Sequence, residues 1–126
     1  MNFKGTEAIY LQIADYISEN ILLGKWRSED KIPSVRDLAV EMQVNPNTVI
    51  RTYEFLQNQK IIFTKRGLGF FVCPEGAKRI KEYKRENFLK TDLPEFFKSM
   101  YLLGVDVEDI LKQYETFKSN YSSFEI

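Results

Sequence analysis

The segment from Pro33 to Tyr53 constrains this chain more than any other. Val35, Leu38, Ala39 and Met42 recur at helical spacing, and so do Val49, Tyr53 and Leu56. Between the two stripes the chain breaks at Gln43-Val44 and restarts at Asn45-Pro46. Asparagine is a good helix cap, and a proline at the first helical position loses only an amide that would be orphaned anyway. The first stripe opens at Ser34, with Asp37 three residues on as in a capping box. Two short helices, over 35–42 and 46–59, joined by a turn of a few residues have the spacing of a helix-turn-helix.

The flanks fit that unit. Ile9, Ile13, Ile17 and Ile21 recur every four residues and predict a helix over 8–23, with Gly24 where a left-handed residue belongs. Residues 25–31 read as a polar loop carrying Trp26. Beyond the second stripe, Ile61-Ile62-Phe63-Thr64 and Phe70-Phe71-Val72 favour strands, and the turn from Lys65 to Gly69 joins them into a hairpin that Pro74 ends. Ile9, Ile13, Ile17, Leu38, Val49, Tyr53, Leu56, Ile61 and Phe63 are the expected core. The fold class is therefore mainly α with a small β-hairpin, a winged helix-turn-helix over residues 1–74.

Residues 75–126 have another character and read as a helical tail. A charge-rich helix is expected over 75–90, with a basic excess of four between residues 78 and 90. Such a run is usually a solvated helix face, though it could graze DNA. Leu93, Phe96, Phe97, Met100 and Tyr101, then Val107, Ile110, Leu111, Tyr114 and Phe117, fall at helical spacing. Asp92 and Asp106 are the expected caps, and Leu103-Gly104-Val105 the corner. Residues 73–126 hold nine aromatics, ending at Phe124, more than short helices can bury alone. A self-complementary dimer interface through Leu93, Phe96, Phe97, Met100, Val107, Ile110, Leu111 and Tyr114 is the expected outlet, with packing onto the first helix of the same chain as the alternative.

Composition excludes several chemistries. No histidine is present, which removes His triads, His general bases and His metal sites. The single Cys73 excludes an intramolecular disulfide and a Cys-pair zinc site. Neither a metal nor a cofactor is expected, and enzymatic activity is not. Adjacent acids at Glu29-Asp30 and Glu108-Asp109 read as caps and surface charge. No apolar run approaches the roughly 20 residues of a membrane span, and the first ten residues have no signal-like apolar stretch, so a cytoplasmic protein is expected. The tail shows no polar cluster that would mark a small-molecule effector.

Lys+Arg and Asp+Glu each number 18, so any nucleic-acid surface must be local. In a helix-turn-helix the second helix enters the major groove, and its N-terminal residues meet base edges. Here those are Asn45, Asn47 and Thr48, with Arg51 one turn on, and residues 42–53 contain no acid. Asparagine suits adenine, threonine can place its methyl on thymine, and arginine suits phosphate or guanine. Ser34 and Arg36 open the preceding helix, where free amides can hold a phosphate. Lys65, Arg66, Gly67 and Gly69 put cations beside glycines at a wing tip able to reach the minor groove or phosphates. Each has a plainer role: Asn45 as a cap, Arg51 and Arg36 as surface cations, the glycines as turn residues. A nucleotide-binding loop is excluded, because a strand follows the glycines.

Ile9-Tyr10-x-Gln12-Ile13, the run 31–39, Val44-Asn45-Pro46-Asn47-Thr48-Val49-x-Arg51-x-Tyr53 and Arg66-Gly67-x-Gly69-x-Phe71-Val72, in this order, resemble the winged helix-turn-helix of GntR-type bacterial transcriptional regulators. The short tail is similar to the YtrA-like branch. The resemblance implies a homodimer, usually a repressor, bound to double-stranded DNA at an inverted-repeat operator. It also implies DNA contacts at Arg36, Asn45, Asn47, Thr48 and Gly67. Departures stand at Glu29 and Lys60, where the family commonly has Gly, at Phe70, where Thr is usual, and at Ile50, where relatives place a basic residue. The competing function is a winged-helix protein-interaction module that does not read DNA.

Overall fold

The computed structural model describes residues 7–124, with side chains to Tyr121; Phe124 of the tail aromatics lies outside the described side chains. The elements are α1 (Ile9–Leu22), α2 (Val35–Met42), α3 (Pro46–Asn58), β1 (Ile62–Lys65), β2 (Gly69–Val72), α4 (Gly76–Asn87), a π turn (Phe88–Asp92), α5 (Leu93–Leu103) and α6 (Val107–Phe124). Mainly helical with one antiparallel hairpin behind a helix-turn-helix, this is a winged helix-turn-helix with C-terminal helices.

Local chemistry sets the helix ends. Ser34 Oγ accepts from Asp37 N at 3.1 Å to start α2, and Asn45 Oδ1 accepts from Asn47 N at 2.7 Å to start α3. At the other end α3 closes on a Schellman motif: Lys60 N donates to Gln57 O and Ile61 N to Leu56 O, both at 2.9 Å. Lys60 takes the left-handed position with φ +61°, and Gln43 does the same after α2 with φ +56°. Ile61 is thus the apolar partner of Leu56 across that motif, so β1 starts one residue later than the apolar run suggested.

The first compact unit runs Met1–Lys84. Ile13, Ile17, Leu38, Val49, Leu56 and Ile61 are fully buried in its core, and each such side chain contributes about 1.5–3 kcal/mol. Tyr53 OH donates to Pro33 O at 2.6 Å and ties α3 to the start of α2. Burial, with Glu41 and Asp37 adding repulsion, pushes the Tyr53 phenol well above its usual range, so it stays a donor. Phe70 earns its large ring by packing edge-on against Tyr53 at 4.7 Å. Ile80 of α4 is also fully buried, and Lys84 pairs with Asp15 of α1 at 3.1 Å. This is why the unit takes in the first turns of α4.

Several expectations need correction. Ile9 is 46% exposed: it stands on the first turn of α1 and lines a surface groove rather than the core. Phe63 is only half-buried, with its ring on Phe71 of the hairpin. The supposed loop before α2 is partly ordered as a strand edge. Glu29 N donates to Val72 O, Val72 N to Asp30 O and Ile32 N to Phe70 O, so this segment lines β2. Glu29 enters it with φ +68°. Asp92 is no cap. Its backbone is helical, φ −73° and ψ −41°, without a side-chain cap bond, and the helix passes through a π turn instead. Pro94 lacks the amide for residue 90 and its ring crowds that carbonyl, which a locally widened turn relieves.

The second compact unit is Arg85–Ile126. α5 ends at Gly104, φ +67°, with Val105 N donating to Met100 O. Phe117 and Tyr121 stack at 5.5 Å on α6.

Candidate nucleic-acid interface

The outward stripe of α3 follows from its inward one. Val49, Thr52, Tyr53 and Leu56 are buried, so Asn47, Ile50, Arg51 and Glu54 face solvent, with Thr48 half-buried beside them. Asn47, Thr48 and Arg51 meet Ala8 and the first α1 residues, Ile9 and Tyr10, across one open groove of about 380 Å³. Thr52 fixes that junction: its buried Oγ1 lies 2.8 Å from Tyr10 O and 3.1 Å from Thr48 O.

The donors there are differently committed. Asn45 Oδ1 accepts the cap bond, which leaves its second lone pair and the amide N–H groups for other partners. Asn47 is exposed and carries both functions. Arg51 Cζ sits 4.0 Å from the centroid of the Tyr10 ring. Among the described residues no ion pair engages Arg36, Arg51, Lys65 or Arg66; Lys84–Asp15 and Lys90–Glu86 lie elsewhere.

Ser34 and Arg36 are exposed on the first turn of α2 and line no part of the groove. With Ser34 Oγ accepting the cap bond, its hydroxyl proton is still available to a phosphate. The wing residues form a third group. Leu68 N donates to Lys65 O at 2.9 Å, and Gly67 sits in that turn with φ +77°, a conformation that a Cβ disfavours. A Cβ on Gly67 would meet nothing within 4 Å, so the tip is open on its outer side. Gly69 pairs with Lys65, and its Cβ would come within 3.0 Å of Lys31 Cε. Lys65 Nζ lies 4.5 Å from the Phe71 centroid and 5.8 Å from that of Phe63.

Sequence reasoning missed Tyr10, Ile9 and Lys31. Tyr10 stands in the Ile9-Tyr10-x-Gln12-Ile13 motif, but its role is not legible without its partner Arg51 on another helix. The polar run 25–31 marks Lys31 as a loop residue, and only its bridge to Phe71 brings it to the wing. Among the described residues no cluster of three His, Cys, Asp or Glu could hold a metal ion. Burial pushes the Cys73 thiol up, away from the reactive thiolate. No helix among the described residues is long and apolar enough to cross a membrane.

In the second unit, Phe96, Phe97, Val107, Leu111 and Tyr114 of the expected dimer set are exposed, Leu93 and Ile110 are half-buried, and Met100 is buried. Tyr101 and Phe117 of the two stripes, with Leu102 and Leu103 outside them, add exposed apolar surface beyond the expected dimer set.

Residues 9–72 match the bacterial regulatory proteins of the gntR family. The HTH-type transcriptional regulator YhcF of Bacillus subtilis is 38% identical over 115 residues, covering 91% of this chain and 93% of its own. The HTH-type transcriptional repressor YtrA of the same organism is 34% identical over 107 residues, covering 85% and 82%. A gntR-family transcriptional regulator from Bacteroides thetaiotaomicron superposes with a TM-score of 0.77 at 46% identity, covering 90% of this chain and 99% of that one. The DNA-binding domain of AraR, solved with its operator ORX1, superposes with a TM-score of 0.54 at 27% identity over 57% of this chain and 93% of its own. The chain belongs to the gntR family and is a DNA-binding transcriptional regulator with a winged helix-turn-helix.

Proposed function

We propose that this gntR-family regulator acts as a homodimeric repressor in the cytoplasm, binding an inverted-repeat operator with α3 in the major groove of each half-site. The observation that carries this reading is the α3 stripe. Asn47, Thr48 and Arg51 share one open groove, and no carboxylate neutralises the arginine. Asn47 and Thr48 read base edges. Arg51 takes a phosphate, as do Arg36 with Ser34 and the Asn45 amide, while Lys65, Arg66, Gly67 and Gly69 form a wing contact. The repressor sign is supported by the likeness to YtrA of Bacillus subtilis.

Residues 1–74 carry the DNA contacts and residues 75–126 the dimer. Support for the second assignment is the apolar surface that one protomer leaves in water at Phe96, Phe97, Val107, Leu111 and Tyr114. Covering it against a second copy removes a patch that a lone protomer would expose. Two-fold pairing then sets half-site centres about 10 bp or a multiple apart.

Selection of bound duplexes from a random pool tests the whole reading, and the recovered site is expected to be palindromic. Asn47→Ala should cost about 1–3 kcal/mol on that site and relax one base position, whereas Arg36→Ala should weaken all sequences and lower the salt slope by about one. Recovery of no preferred sequence, with binding unchanged in both variants, would point to an interaction module instead.

A further inference from the structure

Arg51 is the one cation of the α3 stripe, yet it does not wave freely. Its Cζ lies 4.0 Å from the Tyr10 ring centroid. Tyr10 is itself held from two sides: Thr52 Oγ1 lies 2.8 Å from its carbonyl oxygen, and its ring meets Phe55 edge-on at 6.3 Å. Phe55 in turn meets Tyr83 of α4 at 5.9 Å. The ring is thus anchored to the buried side of α3 and presents a face to a residue on the exposed side.

Charge explains why this partner matters. A carboxylate at this place would hold the guanidinium but neutralise it and occupy its N–H groups. An aromatic face attracts the cation through its quadrupole and leaves the net charge intact. A free arginine loses rotamer freedom when it binds, and one already ordered loses less. The groove shared by Ile9, Tyr10, Asn47, Thr48 and Arg51 opens beside this pair.

We propose that Tyr10 is a positioning residue for DNA binding: its ring holds the Arg51 guanidinium at the mouth of the α1–α3 groove, pre-ordered to receive a DNA phosphate. This rests on the reading that Arg51 contacts the operator. Tyr10 acts through Arg51 and through the ring alone, so its hydroxyl is dispensable.

The test is a double-mutant cycle on the full chain, by fluorescence anisotropy on a labelled duplex selected with the wild-type protein. Tyr10→Leu is expected to weaken binding roughly two- to fivefold per half-site, and Tyr10→Phe to leave it unchanged. Arg51→Ala should weaken it further, and adding Tyr10→Leu to Arg51→Ala should cost nothing more. If Tyr10→Leu melts early, Tyr10→Met replaces it in the cycle, read below the melting onset of every variant. Full affinity in Arg51→Ala would remove the premise that Arg51 touches DNA. With Arg51→Ala impaired, the positioning role alone is overturned by any of three results: an unaffected Tyr10→Leu, an equal Tyr10→Leu loss in the Arg51→Ala background, or a Tyr10→Phe loss as large as that of Tyr10→Leu.

Discussion

Replacing Lys60 with glycine should stabilise the protein. Lys60 holds the left-handed position of the Schellman motif that ends α3, with φ +61°. A residue with a Cβ in that conformation costs roughly 1–2 kcal/mol relative to its right-handed state. Glycine removes that penalty but loses about 0.5–1 kcal/mol more than alanine when the chain is ordered. Taken at mid-range, the net gain is about 0.7 kcal/mol. For a chain of this size that raises Tm by roughly 2–5 °C. Lys60 is exposed and makes no ion pair among the described residues, so little side-chain interaction is lost. Scanning calorimetry at fixed protein concentration measures it, because an oligomer's Tm moves with concentration. Lys60→Ala is the control: it removes the same side chain but keeps the Cβ. A Lys60→Gly protein that melts at or below the wild type, or a Lys60→Ala protein that gains as much, would refute the reasoning.

Further outcomes follow from the same geometry. Gly67→Val forces a β-branched residue to φ +77° in open space, so it should impair DNA binding more than Lys65→Ala, with only a modest fall in Tm; normal binding would move the wing tip away from DNA. Phe97→Asp with Tyr101→Asp changes side chains that are 55% and 87% exposed in one protomer, so each protomer should fold while light scattering reports a monomer and operator affinity falls by about 10²–10⁴. Tyr53→Phe removes a buried donor to Pro33 O and should cost about 1 kcal/mol near neutrality. Because folding raises the Tyr53 pKa above its ordinary value of 10.0, this group's contribution is full below pH 10 and is lost as pH rises beyond it, so urea melts of Tyr53→Phe should fall less steeply above pH 10 than those of the wild type.

What could be read from the sequence was what local chemistry decides. Ser34 and Asn45 cap helices through bonds that span two or three residues, and the stripes of α2 and α3 bury the face their spacing marks. What could not be read depends on partners far along the chain. The Glu29–Ile32 edge exists because β2 offers it backbone groups, while its own residues carry no strand pattern. Arg51 and Tyr10 are 41 residues apart, and nothing in either residue type announces the other. The π turn was hidden because Leu93-Pro94 resembles a fresh helix start, whereas the helix simply widens around the proline.

The departures from the gntR pattern at Glu29 and Lys60 show how backbone geometry is retained without its usual residue. Both sites are left-handed here, at φ +68° and +61°, the conformation in which glycine is least costly. Gln43, between α2 and α3, is a third. Each is held by backbone bonds to neighbours: Glu29 to Val72, Gln43 to Val40, Lys60 to Gln57. Two of these residues bracket α3, one before its cap and one after its last turn. Four anchors thus fix that helix against the rest of the unit: its two ends, the Tyr53–Pro33 bond and the Thr52–Tyr10 bond. A helix so fixed keeps its outward stripe in one place even where individual residues carry strain. That is the condition for Asn47, Thr48 and Arg51 to face a groove together, and it locates the room for sequence variation at the strained corners and at exposed positions such as Ile50, not on the buried side of α3.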